Sequence, residues 1–225
     1  MKVKLISYSQ PAGEIEGLEN VQDLIAYAAR VSNPSNQLNT ETSTRLLNYL
    51  AKHKHWSPFE MVSACLEIET TRDIARQILR HRSFSFQEFS QRYADPTKDL
   101  DFVTRDARLQ DPKNRQNSVE LNIHDDEEHA KLHIEWHEKQ QAVITAAQEA
   151  YAWAIENGIA KEQARAVLPE GNTVSRMYMN GTLRSWIHYI ELRAANGTQL
   201  EHMEIARAVA EVITEIFPLA EDYIS

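Results

Sequence analysis

Arginine recurs at positions 72, 76, 80, 82 and 92 of this chain, with His81 between the two central ones and Glu88 and Ser90 close by. The run Arg80-His81-Arg82-Ser83-Phe84-Ser85-Phe86-Gln87-Glu88-Phe89-Ser90-Gln91-Arg92-Tyr93 interleaves three guanidiniums with hydroxyls, amides and aromatic rings. A planar guanidinium fork matches the oxygens of phosphate or carboxylate two at a time, so this concentration points to an anion site such as a nucleotide phosphate. Residues 71–93 carry five arginines against Asp73 and Glu88, a local balance of +3, while residues 120–138 carry seven acids against Lys131, a balance of −6. Arg72, Arg76 and Arg80 are spaced four apart and share a helix face, where like charges repel by ~0.2–0.5 kcal/mol per pair. For Arg72 and Arg76 a plainer reading stays open, a surface stripe partly paired with Glu69 and Asp73. Phe84, Phe86 and Phe89 read as anchors of the loop in the core, or else as platforms for a base. Gln87 and Glu88 suit the polar edge of a base or sugar.

A second basic segment follows much later. Arg165 precedes Ala166-Val167-Leu168-Pro169, and Arg184, His188 and Arg193 lie on one helix-patterned stretch. Arg184 and His188 are one turn apart, whereas Arg193 falls on nearly the opposite side, with Trp186, Tyr189 and Ile190. An arginine on an aromatic face is costly to desolvate unless an anion meets it or its stem lets the head reach water. If both faces bind, that helix lies between two ligands or two subunits. Cys65, the only cysteine, sits mid-strand with no basic neighbour to activate it, and reads as structural. Ser90 lacks a dedicated base in the sequence, which favours positioning over nucleophilic attack.

Two alternatives come from other classes. His129, His133 and His137 recur every four residues near Glu135, Glu138, Asp125 and Asp126, a spacing that suits metal ligands and would fit a metal-dependent nucleotide hydrolase. The same residues also read as an exposed acidic helix. The arginine-aromatic loop could instead stack single-stranded bases, but a net charge of −9 argues against a nucleic-acid binder.

The elements that must position these groups follow from periodicity. Val3, Leu5 and Ser7 alternate with Lys2, Lys4 and Ile6 as an opening strand. Asn20 caps a helix through Ala29, Asn33-Pro34-Ser35-Asn36 breaks it, and Leu46, Leu47 and Leu50 mark the next. His55–Glu60 reads as a turn, residues 62–69 as a half-buried strand, 71–81 as a helix and 94–118 as an irregular excursion. A long acidic helix is expected over 125–157, stopped by Asn157-Gly158. A strand over 174–179, closed by Asn180-Gly181, precedes helices around 183–195 and 200–217. The 225 residues carry 42% hydrophobic and 25% charged side chains and suit one α+β domain over 1–225. A mixed or antiparallel sheet packed with helices is the expected architecture. No G-x-G-x-x-G turn is present, so a dinucleotide would bind without a Rossmann fold. A lone cysteine excludes an internal disulfide, and with no apolar span or signal pattern the chain reads as cytoplasmic.

Four segments together resemble the flavin-dependent thymidylate synthase family. They are Arg-His-Arg at 80–82 followed by seven residues and Ser90, then His55-Trp56-Ser57-Pro58-Phe59-Glu60, Glu162–Pro169 and Leu183–Arg193. Their order and spacing match the family's pattern over most of the chain, least in 94–118. The resemblance implies a homotetramer with active sites where subunits meet, a non-Rossmann flavin site, FAD as cofactor, and NADPH and 5,10-methylenetetrahydrofolate as co-substrates. It implies no metal. It implies that Ser57, Arg80, His81, Arg82, Glu88, Arg184 and His188 contact FAD; His188 stands where some relatives carry Asn. Gln77, Arg80, Glu88, Ser90, Gln91, Arg92, Arg165 and Arg193 would hold dUMP, whose conversion to dTMP is the implied reaction. Arg193 is placed by the resemblance against the pyrimidine ring, as the catalytic cation.

Overall fold

The computed structural model describes residues 2–222, and its centre is a four-stranded antiparallel sheet. With strands numbered in chain order, β1 (Lys2–Tyr8), β2 (Ser63–Thr71), β6 (Val174–Thr182) and β3 (Ser85–Glu88) lie side by side in that order. Alternation makes the sheet two-faced. Ala64, Leu66 and Ile68 of β2 and Met177 and Met179 of β6 are buried on one face. Cys65, Glu67, Glu69, Arg176 and Tyr178 lie on the other, where the register sets Lys4 opposite Glu67 and Glu69 opposite Arg176. Both cross-strand pairs close as ion pairs, with Arg176 Nε donating to Glu69 Oε1 at 2.7 Å.

Helices cover the apolar face. They are α1 (Val21–Ala29), α2 (Ser43–Lys52), α3 (Arg72–Ile78), α7 (Leu183–Arg193) and α8 (Leu200–Ile216). Ile25, Leu47, Ile74, Trp186, Ile190, Ile205, Val209 and Ile213 meet there in one core cluster. Asn20 caps α1 by accepting from the Asp23 amide at 3.0 Å. Trp186 satisfies its buried indole by donating to the Ala64 carbonyl at 3.1 Å, which ties α7 to β2. Beside this body runs α5 (Glu127–Glu156), 30 residues, hence ~45 Å long. Its Tyr151 and Ala154 join Ala164 and Leu168 in a second small cluster, and Gly158 (φ +75°) follows its last turn. The short α6 (Lys161–Ala164) leads into a 3-10 turn over Arg165–Val167.

Four local expectations change. Residues 85–88, read as loop, form edge strand β3, because Phe86 and Glu88 find partners in Met179 and Met177 across β6. Asn180-Gly181 does not close a strand: β6 runs through it to Thr182, whose side chain caps α7. Gly181 instead makes room for Phe84, since a Cβ there would lie 2.3 Å from the Phe84 ring. Arg80 lies beyond the end of α3, after the capping residue Leu79, so only Arg72 and Arg76 share that helix. The 94–118 excursion is partly ordered, with α4 (Pro96–Asp99) and a hairpin of β4 (Arg108–Gln110) and β5 (Ser118–Glu120). Among the described residues no helix is long and apolar enough to cross a membrane.

Candidate active site

The arginine motif occupies the turn between α3 and β3, and α7 packs across it. The Ser185 hydroxyl donates to the Ser83 carbonyl at 3.4 Å, and the His81 ring meets Tyr189 edge-on at 4.9 Å. Phe84 is buried against Trp186, with ring centroids 4.7 Å apart. These contacts fix the backbone of the motif and leave its cations outside. Arg80 and Arg82 are exposed, and among the described residues neither guanidinium has an ion-pair or hydrogen-bond partner. Two uncompensated guanidiniums beside the Ser83 and Ser85 hydroxyls are a donor set that fits a diphosphate.

Arg193 closes the other end of α7. Its Nε donates to His81 Nε2 at 2.9 Å, which requires an unprotonated His81 Nε2. Burial first, then the Arg193 and Arg80 guanidiniums, push the His81 pKa down to about 4, so the ring is neutral at physiological pH. A neutral ring can hold a guanidinium that a charged one would repel. The Arg193 terminal nitrogens have no protein partner among the described residues. Behind this pair lie Gln77, Tyr189 and His202: His202 is 3.2 Å from Gln77 Oε1 and 3.1 Å from the Tyr189 hydroxyl.

On the opposite face of α7, Arg184 pairs with Glu60 and the His188 ring meets Trp56 edge-on at 5.0 Å. Glu60 and Ser57 belong to the 3-10 turn Ser57–Glu60. Ser57, Arg184 and His188 therefore form one neighbourhood, joined to the arginine motif through Ser185.

A third group lies past the far end of β3. Glu88 accepts from the Ser175 hydroxyl at 2.8 Å and sits 3.6 Å from Arg72. Arg72, Arg76, Gln91 and Arg165 line a cleft of about 430 Å³ with Ala166, Leu168 and Glu170. Arg76 is held by Glu170, and Arg92 lies at 3.5 Å from Glu162 and 5.8 Å from the Tyr93 ring centroid. The Gln91 side chain is buried, yet its Nε2 has no partner. A buried donor left unpaired costs ~1–3 kcal/mol, so this cleft lacks an acceptor that a phosphate or nucleotide oxygen would supply. The Ser90 hydroxyl has no hydrogen-bonded base among the described residues. A larger cavity, about 480 Å³, opens near Thr70, Thr71 and Arg105, but there Lys2, Arg105 and Arg176 face Glu69, Asp99, Asp101 and Glu201, which leaves no surplus of cations for an anion.

The expected residues thus fall into three neighbourhoods of one chain. Residue types singled out Arg80–Arg82, Arg165, Arg184, His188 and Arg193. They did not single out Tyr189, His202 or Gln199, whose polar atoms stand behind Gln77 and His81. No local spacing marks them, since Gln77 and His202 lie 125 residues apart in the chain. His129, His133 and His137 do not converge: His129 lies near Asp126 and accepts from the Asn122 amide, while His133 faces Asp106 at 3.9 Å. Among the described residues no group of three or more His, Cys, Asp or Glu is placed to hold a metal. Burial raises the Cys65 pKa, which suits a structural thiol.

Residues 15–219 match the family model described as thymidylate synthase complementing protein. A probable flavin-dependent thymidylate synthase of Paramecium bursaria Chlorella virus 1 is 49% identical over 218 residues, 97% of this chain and 96% of that protein. A flavin-dependent thymidylate synthase of Synechocystis sp. is 48% identical over 220 residues, again 97% and 96%. Among solved structures, the UMP/dUMP methylase PolB from Streptomyces cacaoi, bound with 5-Br dUMP, shares the fold. Its TM-score is 0.79 at 22% identity, covering 99% of this chain and 93% of that one.

Proposed function

The chain belongs to the flavin-dependent thymidylate synthase family, and on that premise we propose how its own residues divide the work. The enzyme is a methyltransferase that converts dUMP to dTMP, with FAD as cofactor and NADPH and 5,10-methylenetetrahydrofolate as co-substrates. Bound flavin, once reduced, supplies the hydride that completes the methyl group. Arg80 and Arg82 hold the FAD diphosphate, with the unpaired guanidiniums as support for that reading. Ser57, His81, Glu88, Arg184 and His188 complete the flavin contacts. Gln77, Arg80, Glu88, Ser90, Gln91, Arg92, Arg165 and Arg193 hold dUMP.

The chemical task is to make uracil C5 nucleophilic. Arg193 does this by offering its free guanidinium edge to negative charge developing on the N3 side of the ring. The observation that carries the assignment is the Arg193–His81 hydrogen bond, which fixes the cation in advance against a neutral partner. Electrostatic catalysis depends on such preorganisation, because the group need not reorient as charge develops.

Residues 1–225 act as one domain, and four such chains form a homotetramer with the sites at their contacts. The separation of the three neighbourhoods within one chain supports that arrangement. All substrates are soluble, and we place the enzyme in the cytoplasm. The test is the visible spectrum of the purified protein during anaerobic NADPH addition with dUMP present. A flavin band that bleaches, followed by dTMP formation when the folate is added, is expected. A protein that takes up no FAD would overturn the flavin assignment.

A further inference from the structure

The polar side chains behind Arg193 form a hydrogen-bond chain that runs one way. Glu201 accepts from Arg108 through one oxygen and from Gln199 Nε2 through the other, the latter at 2.9 Å. A carboxylate only accepts, so Gln199 turns its NH₂ to Glu201 and its carbonyl to Gln77. Gln77 Nε2 then donates to Gln199 Oε1 at 2.9 Å, which directs the Gln77 carbonyl to His202 Nδ1. A carbonyl also only accepts, so His202 carries its proton on Nδ1. Its Nε2 is left to accept from the Tyr189 hydroxyl. His202 is fully buried on the α8 stripe of Ile205, Ala206 and Val209, where an imidazole is costly unless both nitrogens are satisfied. Burial, Arg193 and His81 push its pKa to about 3, in keeping with one proton on the ring.

We propose that His202 is a positioning residue for the substrate: donating from Nδ1 to the Gln77 carbonyl, with the Tyr189 hydroxyl on its Nε2, it locks the Gln77 amide in the orientation that Gln199 also requires. The Gln77 carbonyl is then committed, one N–H is committed to Gln199, and the second N–H is the group left for a ligand. Gln77 therefore meets dUMP as a donor, toward an acceptor oxygen of the nucleotide. Without His202 the amide is held by Gln199 alone, and its carbonyl, left without a donor, can swing toward the nucleotide and repel that oxygen. This inference rests on the reading that Gln77 contacts dUMP.

The test is a double-mutant cycle on the FAD-loaded enzyme, using His202→Phe, which keeps a ring and removes both nitrogens, with Gln77→Ala. His202→Phe is expected to raise KM for dUMP roughly 3- to 10-fold, the worth of about one hydrogen bond, while KM for NADPH and flavin content hold. In the Gln77→Ala background the same substitution should add nothing, because its effect passes through Gln77. Equal effects in both backgrounds mark a general structural role and overturn the proposal. An unchanged dUMP KM in His202→Phe, beside a raised one in Gln77→Ala, overturns it alone. An unchanged KM in Gln77→Ala overturns the reading of Gln77 and the inference with it. If His202→Phe does not fold, Tyr189→Phe loosens the ring by leaving His202 Nε2 without its partner; a raised dUMP KM that vanishes in the Gln77→Ala background supports the proposal, and no rise overturns it.

Discussion

The Arg193–His81 pair joins a group assigned to dUMP with one assigned to flavin, so its two members should fail differently. Arg193→Ala removes the cation assigned to the pyrimidine ring and leaves the arginine motif intact. Turnover should fall about 10²- to 10³-fold, the usual loss for one preorganised electrostatic group, while the visible flavin band is retained; near-normal turnover would sink the catalytic role. The same neighbourhood makes stability depend on pH. His81 and His202 have folded pKa values pushed down to about 4 and about 3, against an ordinary imidazole near 6.5. As pH falls below about 6.5 the unfolded chain takes up protons that the folded one refuses, so stability is lost between there and about 3. The half-buried carboxylates Asp73 and Glu201 have lowered pKa values and lose their contributions only at lower pH. The melting temperature of the flavin-free protein should therefore drop already between pH 6.5 and 5, and a flat profile there would count against neutral buried histidines. Arg193 was legible in the sequence as an odd cation on an aromatic helix face. His202 was not legible, because its partner Gln77 is 125 residues away and no local spacing records that contact.

The motif reaches the site only because β3, β6 and α7 hold its turn in place, and Gly181 is where they close. A Cβ at Gly181 would lie 2.3 Å from Phe84 Cδ1, so Gly181→Ala must push Phe84 off Trp186. Overpacking of this kind costs ~1–3 kcal/mol, and because Phe84 is two residues from Arg82 the displaced turn should lose flavin as well as stability. Phe84→Leu in the Gly181→Ala background should recover part of both; flavin content unchanged in Gly181→Ala would show that the turn does not depend on this packing. A two-residue Asn-Gly signal normally marks a turn, which is why the sequence read β6 as ending there. What overrides it is tertiary: β3 pairs with β6 as far as Asn180, and β2 carries the ladder on through Gly181 to Thr182. Strand β3 was hidden for the same reason, since a four-residue edge strand has no periodicity apart from its partner. The long elements fared better. Asn20, the Trp186, Tyr189 and Ile190 face of α7 and the Asn157-Gly158 stop mark their helices with local chemistry, and those helices stand within a few residues of expectation. The excursion gained its order from distant anchors: Arg105 bonds Thr71 and Asp73 at 2.6 Å, and Arg108 pairs with Glu201.

At the scale of the molecule, one chain does not gather the residues assigned to one dUMP. His81 and Arg193 sit at one end of β3 and the Gln91–Arg165 cleft beyond the other, and four strand residues alone span ~13 Å. The long α5 helix also leaves Leu132, Trp136 and Val143 exposed on one stripe, at 41, 44 and 51%. Apolar area of that kind on a helix, beside an incomplete site, is what a second copy of the chain would cover. If each site takes Arg193 from one chain and Arg92 from another, two inactive variants should repair each other. Arg193→Ala and Arg92→Ala, each nearly inactive alone, should regain activity when co-expressed, because a mixed assembly contains contacts where both arginines are intact. Mixing must happen before assembly, and the active fraction should migrate with the mass of four chains. Were every site built within a single chain, each site in the mixture would still lack one arginine, and no combination of the two variants could exceed the activity of the better one.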